Sequence, residues 1–186
     1  MSAPDADERA KQYAERKSIK LPFRLPLGRG IDGTVFATNR KTAVKVLKNF
    51  DNYSRELRAY QRLQERGVNF IDGLSVPALV DFDDELLVVE MDIVEAPYLL
   101  DFGKAYTDEP PPFDEEQLAV YQVSLRHFFR KDDLPRVRKI YRILAGMGII
   151  YLDAKPQNIR LRSDAAELAL PDDDWEAEPD GELPDE

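Results

Sequence analysis

The residues best suited to chemistry lie close together late in the chain. Asp153 is followed by Lys155 two positions later and by Asn158 five positions later. An aspartate can orient or accept the proton of an attacking hydroxyl, a lysine can neutralise a phosphoryl group in transfer, and an asparagine can hold a magnesium ion. The spacing therefore predicts a loop for phosphoryl transfer. The alternative is a polar turn between a helix and a strand, with Pro156 marking the turn.

A glycine-rich segment early in the chain could bind phosphates. Gly28, Gly30 and Gly33 have the spacing G-x-G-x-x-G, and the run that follows them, which includes Val35, reads as a β-strand. A loop without Cβ atoms lets backbone N–H groups approach phosphates closely. A dinucleotide-binding fold would need a helix after the third glycine. The pattern favours strand, glycine loop and strand, and a glycine-rich hairpin without a ligand is the alternative.

A lysine and a glutamate are placed to form a pair behind that loop. Lys45 lies in residues 41–47, whose alternation predicts a strand. The next segment, from about residue 51 to residue 65, predicts a helix in which Glu56 joins the apolar face. The apolar residues of that face are Tyr53, Leu57, Tyr60 and Leu63. A carboxylate that points toward a core needs a cation, and Lys45 is the candidate.

Taken in chain order, these motifs resemble those of the protein-kinase superfamily. The late segment has the spacing of the H-R-D-x-K-P-x-N motif, and the glycine segment has that of G-x-G-x-x-G-x-V. The tripeptide Ala43-Val44-Lys45 resembles V-A-I-K. An ordered set of motifs is stronger evidence than any one of them. In the family a His and an Arg precede the catalytic Asp, whereas this chain has Tyr151 and Leu152 there.

The resemblance extends over about residues 23–175 and implies an α+β fold. That fold has an antiparallel sheet with one helix, a hinge, and a reduced, mostly helical second lobe. It divides the chain into an N-terminal extension (1–19), a sheet-bearing lobe with the hinge (20–93), a reduced lobe with the catalytic loop (94–175) and an acidic tail (176–186).

The resemblance implies roles for several residues around one ATP molecule. Lys45, positioned by Glu56, would grip the phosphates. Asp153 would orient the attacking hydroxyl, and Lys155 would steady the group in transfer. The residues implied to bind nucleotide are Leu27, Gly28, Gly30, Gly33, Val35, Ala43, Lys45, Glu90, Asp92 and Arg160.

ATP and Mg²⁺ are the implied cofactors. The family's metal-binding Asp follows the catalytic-loop Asn by little more than a dozen residues, and Asp172 lies fourteen residues after Asn158. Asp173 and Asp174 are alternatives to Asp172. Asp101-Phe102-Gly103 spells the family's D-F-G metal motif, but it lies about fifty residues before the catalytic loop. We therefore expect Asn158 and Asp172 to hold the metal, and Asp101 to lie in a turn with no role there.

The composition limits the classes of function. The chain has 186 residues, 43% of them hydrophobic and 33% charged, which suits one domain or a small bilobal unit. Residues 171–186 contain nine acidic residues and no basic ones within a net charge of -10, which argues against nucleic acid as a partner. No apolar run is long enough to span a membrane. The absence of cysteine excludes disulfides and fits a cytoplasmic protein.

These observations lead to two expected functions. The first is transfer of the ATP γ-phosphoryl group to a hydroxyl, either of a protein Ser or Thr or of a small molecule. The second is a pseudokinase that binds nucleotide or a regulatory partner without turnover. The chain ends soon after Asp172, before the segments that hold a peptide in a full kinase. We therefore expect either a small acceptor or a partner protein that completes the substrate platform.

Overall fold

The computed structural model describes residues 5–22 and 26–162. In chain order the helices are α1 (Ala6–Arg16), α2 (Phe50–Glu65), α3 (Glu115–Ser124) and α4 (Leu134–Gly146). The strands are β1 (Gly28–Arg29), β2 (Gly33–Ala37), β3 (Thr42–Leu47), β4 (Phe70–Ile71), β5 (Leu74–Ser75), β6 (Leu79–Asp83), β7 (Val88–Asp92), β8 (Tyr98–Leu99), β9 (Ala105–Thr107), β10 (Ile149–Tyr151) and β11 (Ile159–Arg160). The predicted α+β class is confirmed. No helix within these ranges has both the length and the apolar character to cross a membrane.

Five strands form one antiparallel sheet in the order β1-β2-β3-β7-β6. Strand β3 is buried along its whole length, so both faces of the sheet are covered. Val44 and Val46 belong to an apolar cluster with α1. Ala43 and Leu47 belong to a second cluster with α2. Because side chains alternate along a strand, Lys45 shares the face that carries Ala43 and Leu47, and it points toward α2.

Helix α1 covers one face of the sheet. Asp5 caps its first turn by accepting a hydrogen bond from the Glu8 N–H at 2.8 Å. Arg9 donates to the carbonyl oxygens of Leu86 and Leu47 at 3.1 and 2.8 Å, which ties the helix to the turn before β7 and to the end of β3. The buried residues of this helix are Ala10, Tyr13 and Ala14.

Helix α2 covers the opposite face. Asn49 caps it by accepting a hydrogen bond from the Asn52 N–H at 2.9 Å. Its buried stripe contains the four apolar residues expected from the sequence together with Ala59, and Glu56 lies on the same face. The helix therefore carries one carboxylate into the core beside β3.

Two loops of the second lobe lie side by side because their flanking strands pair with each other. Strands β8 and β9 flank residues 100–104, the Asp101 loop, and strands β10 and β11 flank residues 152–158, the catalytic loop. Strand β8 pairs with β11, and β9 pairs with β10, both antiparallel. The four strands hold the two loops together at both ends.

The helices of the second lobe support the catalytic loop. Helix α3 begins with a capping box in which Asp114 and Gln117 bond to each other's backbone. Short 3₁₀ helices at Leu125–His127 and Lys131–Asp133 connect it to α4. Helix α4 runs directly into β10, and its buried residues are Leu134, Val137, Ile140 and Leu144.

Candidate active site

A cleft of about 720 Å³ lies between the sheet and the two loops. Its roof is the glycine-rich loop with β3, and its floor is formed by the Asp101 loop and the catalytic loop. Gly33 allows the roof to form, because a Cβ at this position would lie 2.5 Å from the Val46 carbonyl oxygen. Only glycine lets β2 approach β3 so closely here.

The predicted pair of Lys45 and Glu56 is present at the back of this cleft. The Lys45 Nζ lies 2.9 Å from the Glu56 Oε1 and 2.6 Å from its Oε2. The Glu56 side chain is fully buried, and burial raises its pKa to about 7 although the charge of Lys45 opposes this shift. Burial lowers the pKa of Lys45, but the charges of Glu56 and Asp101 outweigh it and leave that pKa above its ordinary value.

Asp101 contacts the same lysine, although the sequence predicts that it lies in a turn away from the site, with no role in binding the metal. Its Oδ1 lies 2.9 Å from the Lys45 Nζ and accepts a hydrogen bond from the Gly103 N–H at 3.3 Å. Burial raises the pKa of Asp101, but the charge and hydrogen bond of Lys45, together with the hydrogen bond from the Gly103 N–H, outweigh burial and lower that pKa overall. The tripeptide D-F-G was the one feature of the sequence that pointed to Asp101. Because it lies about fifty residues before the catalytic loop, no pattern in the sequence placed it beside that loop, and the pairing of β8 with β11 that does so is not visible in the sequence.

The catalytic loop brings the three residues of its motif together. The Asn158 Nδ2 donates to the Asp153 Oδ2 at 2.9 Å, and the Lys155 Nζ lies 2.9 Å from the Asp153 Oδ1. A second lysine, Lys104 of the Asp101 loop, lies 3.3 Å from the same Oδ1 and 3.5 Å from the Asp32 Oδ2. Sequence reasoning missed Lys104, since no motif includes it. The carboxylate of Asp153 is thus held by three donors.

Backbone contacts fix the catalytic loop against the Asp101 loop. The Tyr151 hydroxyl directs its proton between the carbonyl oxygens of Leu100 and Asp153, which lie at 2.8 and 3.2 Å. The Leu100 N–H donates to the Asn158 carbonyl oxygen at 2.7 Å. Tyr151 therefore connects the two loops from the position where the family has a histidine.

Most of the predicted nucleotide-binding residues line the cleft, but two do not. Glu90 is buried on the opposite face of the sheet, where it accepts a hydrogen bond from the Tyr13 hydroxyl at 2.7 Å. Arg160 pairs with Tyr98 between β11 and β8 and lies outside the lining. The predicted residues that line the cleft are Leu27, Gly28, Gly30, Gly33, Val35, Ala43, Lys45 and Asp92.

The segment after β7 supplies lining residues that the sequence did not single out. Met91, Ile93 and Val94 face the cleft beside Asp92. The Asp92 N–H already donates to the Ala78 carbonyl oxygen at 3.0 Å. The edge of the cleft that is open to a ligand therefore lies at residues 91–94, slightly later than the sequence implied.

The residues in the cleft suit a magnesium ion held together with phosphates. Among the described donors, none bonds the second carboxylate oxygen of Asp101 or the amide oxygen of Asn158. Magnesium is usually held by one or two carboxylates plus substrate phosphates. No group of three or more His, Cys, Asp or Glu side chains able to hold a metal occurs within residues 5–22 and 26–162. Asp172, Asp173 and Asp174 lie outside the described residues.

No family model and no curated protein matches this sequence. Among solved structures, the chain is similar to APH(2'')-IIa in a ternary complex with streptomycin and ATP, with 22% identity and a TM-score of 0.36. It is also similar to the aminoglycoside phosphotransferase APH(2'')-Ib bound to ADP, with 22% identity and a TM-score of 0.37. A third similar structure is APH(2'')-IIa with gentamicin, at 24% identity and a TM-score of 0.37. Each match covers 51% or 52% of this chain and 30% of the other chain.

Proposed function

We propose that the protein is an ATP-dependent phosphotransferase that moves the γ-phosphoryl group to a hydroxyl. The observation that carries this proposal is the convergence of a glycine-rich roof, a buried lysine and the catalytic loop on one cleft. Phosphoryl transfer depends mainly on positioning and on neutralising charge, and these groups supply both. The acceptor is a protein Ser or Thr or a small molecule, and we expect a cytoplasmic protein.

The nucleotide would lie with its base near Ala43 and residues 91–94 and its phosphates beneath the glycine-rich loop. Lys45 would contact the phosphates while Glu56 keeps its side chain in place at 2.9 Å. Asp101 now occupies part of the coordination of Lys45, at 2.9 Å. A bound phosphate would share the lysine with Asp101, since both are anions that need the same cation.

Asp153 would orient the acceptor hydroxyl and receive its proton. The hydrogen bond from Asn158 and the two lysine contacts fix the direction of its carboxylate oxygens. Lys155 would also reach the phosphoryl group in transfer. A carboxylate held in this way needs little reorganisation during the reaction.

We infer that Mg²⁺ is held by Asn158 and Asp101, with Asp172 as the alternative implied by the resemblance. Both inferred ligands line the cleft, and each offers an oxygen without a donor among the described residues. When bound between these residues and the nucleotide, the ion would neutralise charge on the phosphates.

The role of Asp153 can be tested by measuring labelled phosphate released or transferred from ATP. We expect Asp153→Asn to lower turnover by about 10²- to 10⁴-fold, the usual contribution of a positioned proton acceptor. Asp132→Asn, a change at an exposed aspartate, is the matched control and should leave turnover unchanged. Equal turnover in the wild type and Asp153→Asn would remove Asp153 from this role.

The metal ligands can be identified without an activity measurement. ATP at one hundred times its dissociation constant stabilises a protein by about 2.7 kcal/mol. The part of this stabilisation that depends on Mg²⁺ is read from the difference between the melting temperature with ATP and Mg²⁺ and the melting temperature with ATP and EDTA. We expect Asp101→Asn to lose that Mg²⁺-dependent part and Asp172→Asn to keep it. The reverse result would assign the metal to Asp172.

A pseudokinase is the second candidate function. The observation in its favour is the ion pair between Lys45 and Asp101, which occupies the lysine expected to grip phosphates. In that case ATP would raise the melting temperature, while the wild type and Asp153→Asn would both show no turnover. The Asp153 experiment therefore separates the two functions.

A further inference from the structure

A second cavity of about 420 Å³ lies beside the catalytic loop. Leu152, which directly precedes Asp153, lines it, and so does the ring of Tyr121. The Tyr121 hydroxyl accepts a hydrogen bond from the Ala154 N–H at 3.0 Å, so this wall is attached to the catalytic loop itself. A volume of this size is typical of a small-molecule site.

Lys104 connects this second cavity to the nucleotide cleft. Its side chain lines both spaces, and its Nζ lies 3.3 Å from the Asp153 Oδ1. A molecule that fills the second cavity and extends past Lys104 would therefore bring its far end to the carboxylate proposed to orient the acceptor hydroxyl.

The chemistry of the second cavity favours a flat, apolar molecule that carries an anion. Three aromatic rings line it, those of Tyr106, Phe113 and Tyr121. Among the described residues of the lining, the two charged side chains are cations, Arg55 and Lys104, and none is acidic. Aromatic rings suit a planar group, and a guanidinium suits a carboxylate or phosphate.

Arg55 is the cation with capacity for a ligand. Its guanidinium lies over the Tyr106 ring, 5.0 Å from the centroid, and donates to the Asn52 Oδ1 at 3.3 Å. Within the described part of the chain it has no carboxylate partner. Lys104, in contrast, is shared between Asp32 and Asp153. Arg55 is therefore the residue of this cavity that we expect to bind an anionic group.

We propose that the second cavity binds the non-reacting part of the phosphoryl acceptor, and that the acceptor is a small hydroxyl compound with an aromatic ring and an anionic group. This rests on the proposed function for the role of the hydroxyl, while the binding of an aromatic anion stands independently. A polyamine acceptor would place positive charge against Arg55 and is disfavoured.

The binding can be tested with two matched probes, 4-(hydroxymethyl)benzoate and 4-(hydroxymethyl)benzylamine, in the absence of ATP. A ligand of this size is expected to bind with a dissociation constant on the order of 1 mM. We expect the benzoate to shift the methyl NMR signals of Leu118 and Leu152, which line the cavity. The amine should bind at least about tenfold more weakly.

The two variants lie on the same helix, α2, where Arg55 is half-buried and Arg58 is exposed. Arg55→Gln should weaken binding of the benzoate about tenfold. Arg58→Gln is the control. It removes an exposed guanidinium of the same helix, one that lies 3.9 Å from Glu109, and it should leave binding of the benzoate unchanged. Equal binding of the two probes, no effect of Arg55→Gln, or no shift of either methyl signal at about 10 mM benzoate would overturn the proposal.

Addition of Mg-ATP distinguishes failure of this inference from failure of the proposed function. Transfer of the γ-phosphoryl group to the hydroxymethyl oxygen of the benzoate breaks the bond from the γ-phosphorus to the bridging oxygen and releases ADP. Formation of this phosphate ester together with ADP, detected by ³¹P NMR, would support the cavity as the acceptor site. If the benzoate binds at the two leucines and ATP is turned over but no ester forms, the anion site stands and its role as acceptor site is overturned. If the benzoate binds and ATP is not turned over at all, the proposed function fails while the anion site stands.

Discussion

Glu56 is the residue on which the geometry of the cleft depends most directly. Its side chain is fully buried, and it receives the ammonium group of Lys45 at 2.9 Å. A buried carboxylate is costly to ionise unless a cation accompanies it. Burial raises the pKa of Glu56 to about 7 against the opposing charge of Lys45, so this carboxyl group can change its ionisation near neutral pH.

The raised pKa of Glu56 predicts a loss of stability as the pH rises. Between the ordinary value of 4.5 and about 7, the folded state holds this proton more tightly than the unfolded state does. The free energy of unfolding should therefore fall through this window, by about 3 kcal/mol at most, and level off above it. Glu56→Gln should lack this component, which urea unfolding at a series of pH values would measure. Glu65→Gln, at an exposed site, serves as the control, and parallel curves for the wild type and Glu56→Gln would contradict the assignment.

At the scale of elements, the sequence is most informative where the relation between residues is local. Lys45 and Glu56 could be paired because alternation in a strand and the period of a helix fix the faces on which they lie. The same alternation turns the Glu90 side chain away from the cleft, because its partner Val44 packs toward α1. That conclusion needed the register between β3 and β7, which depends on contacts between distant segments. The resemblance implied a role for the Glu90 backbone, and the orientation of the side chain does not test that role.

The Asp101 loop shows why the rest of the site was not predictable. Its relation to the catalytic loop is set by two strand pairs, β8 with β11 and β9 with β10. Strands of two or three residues carry little pattern of their own, so their partners cannot be read from the sequence. The same pairs bring Lys104 to Asp153, a contact that no motif contains.

A column of aromatic rings joins these elements, and Tyr151 lies within it. Its ring centroid is 5.5 Å from that of Phe102 and 5.9 Å from that of Tyr141, and Phe102 in turn meets Tyr60 of α2 at 5.1 Å. Edge-to-face and tilted contacts of this kind stabilise aromatic clusters. The column links α2, the Asp101 loop and α4 through the interior.

Removing the hydroxyl of Tyr151 should loosen the connection between the loops while leaving the rings in place. Tyr151→Phe removes the hydroxyl that donates to the Leu100 carbonyl oxygen. The Asp153 carbonyl oxygen, which the same hydroxyl contacts, keeps a hydrogen bond from the Asn158 Nδ2 at 2.9 Å. An unsatisfied buried polar group costs about 1–3 kcal/mol, so the free energy of unfolding in urea should fall by about that amount. Tyr98→Phe, at a tyrosine that is only half-buried, is the control and should have little effect. If Tyr151→Phe unfolds at the same urea concentration as the wild type, the hydroxyl has no such role.

The whole molecule is built around a sheet that is covered on both faces. Helix α1 and the strand residues facing it form one apolar cluster, while α2 and the second lobe form a larger one. The Tyr13 hydroxyl reaches through the first cluster to Glu90 at 2.7 Å, so α1 also satisfies a buried carboxylate. The cleft lies on the α2 side, and α1 supports it through the sheet and through the ion pair of Asp7 with Arg29, which lines the cleft.

Leu99 and Ile159, partners at the edge of the cleft, are sixty positions apart along the chain. Closing a flexible segment of that length costs about 3–4 kcal/mol of entropy, and contacts of high contact order form slowly. The hairpin of β2 and β3 and the helix α2 can form from neighbouring segments first, so we expect the cleft to form late in folding. A ligand that touches both loops adds its binding energy to that final step, and it therefore favours maturation of the protein as well as any reaction that follows.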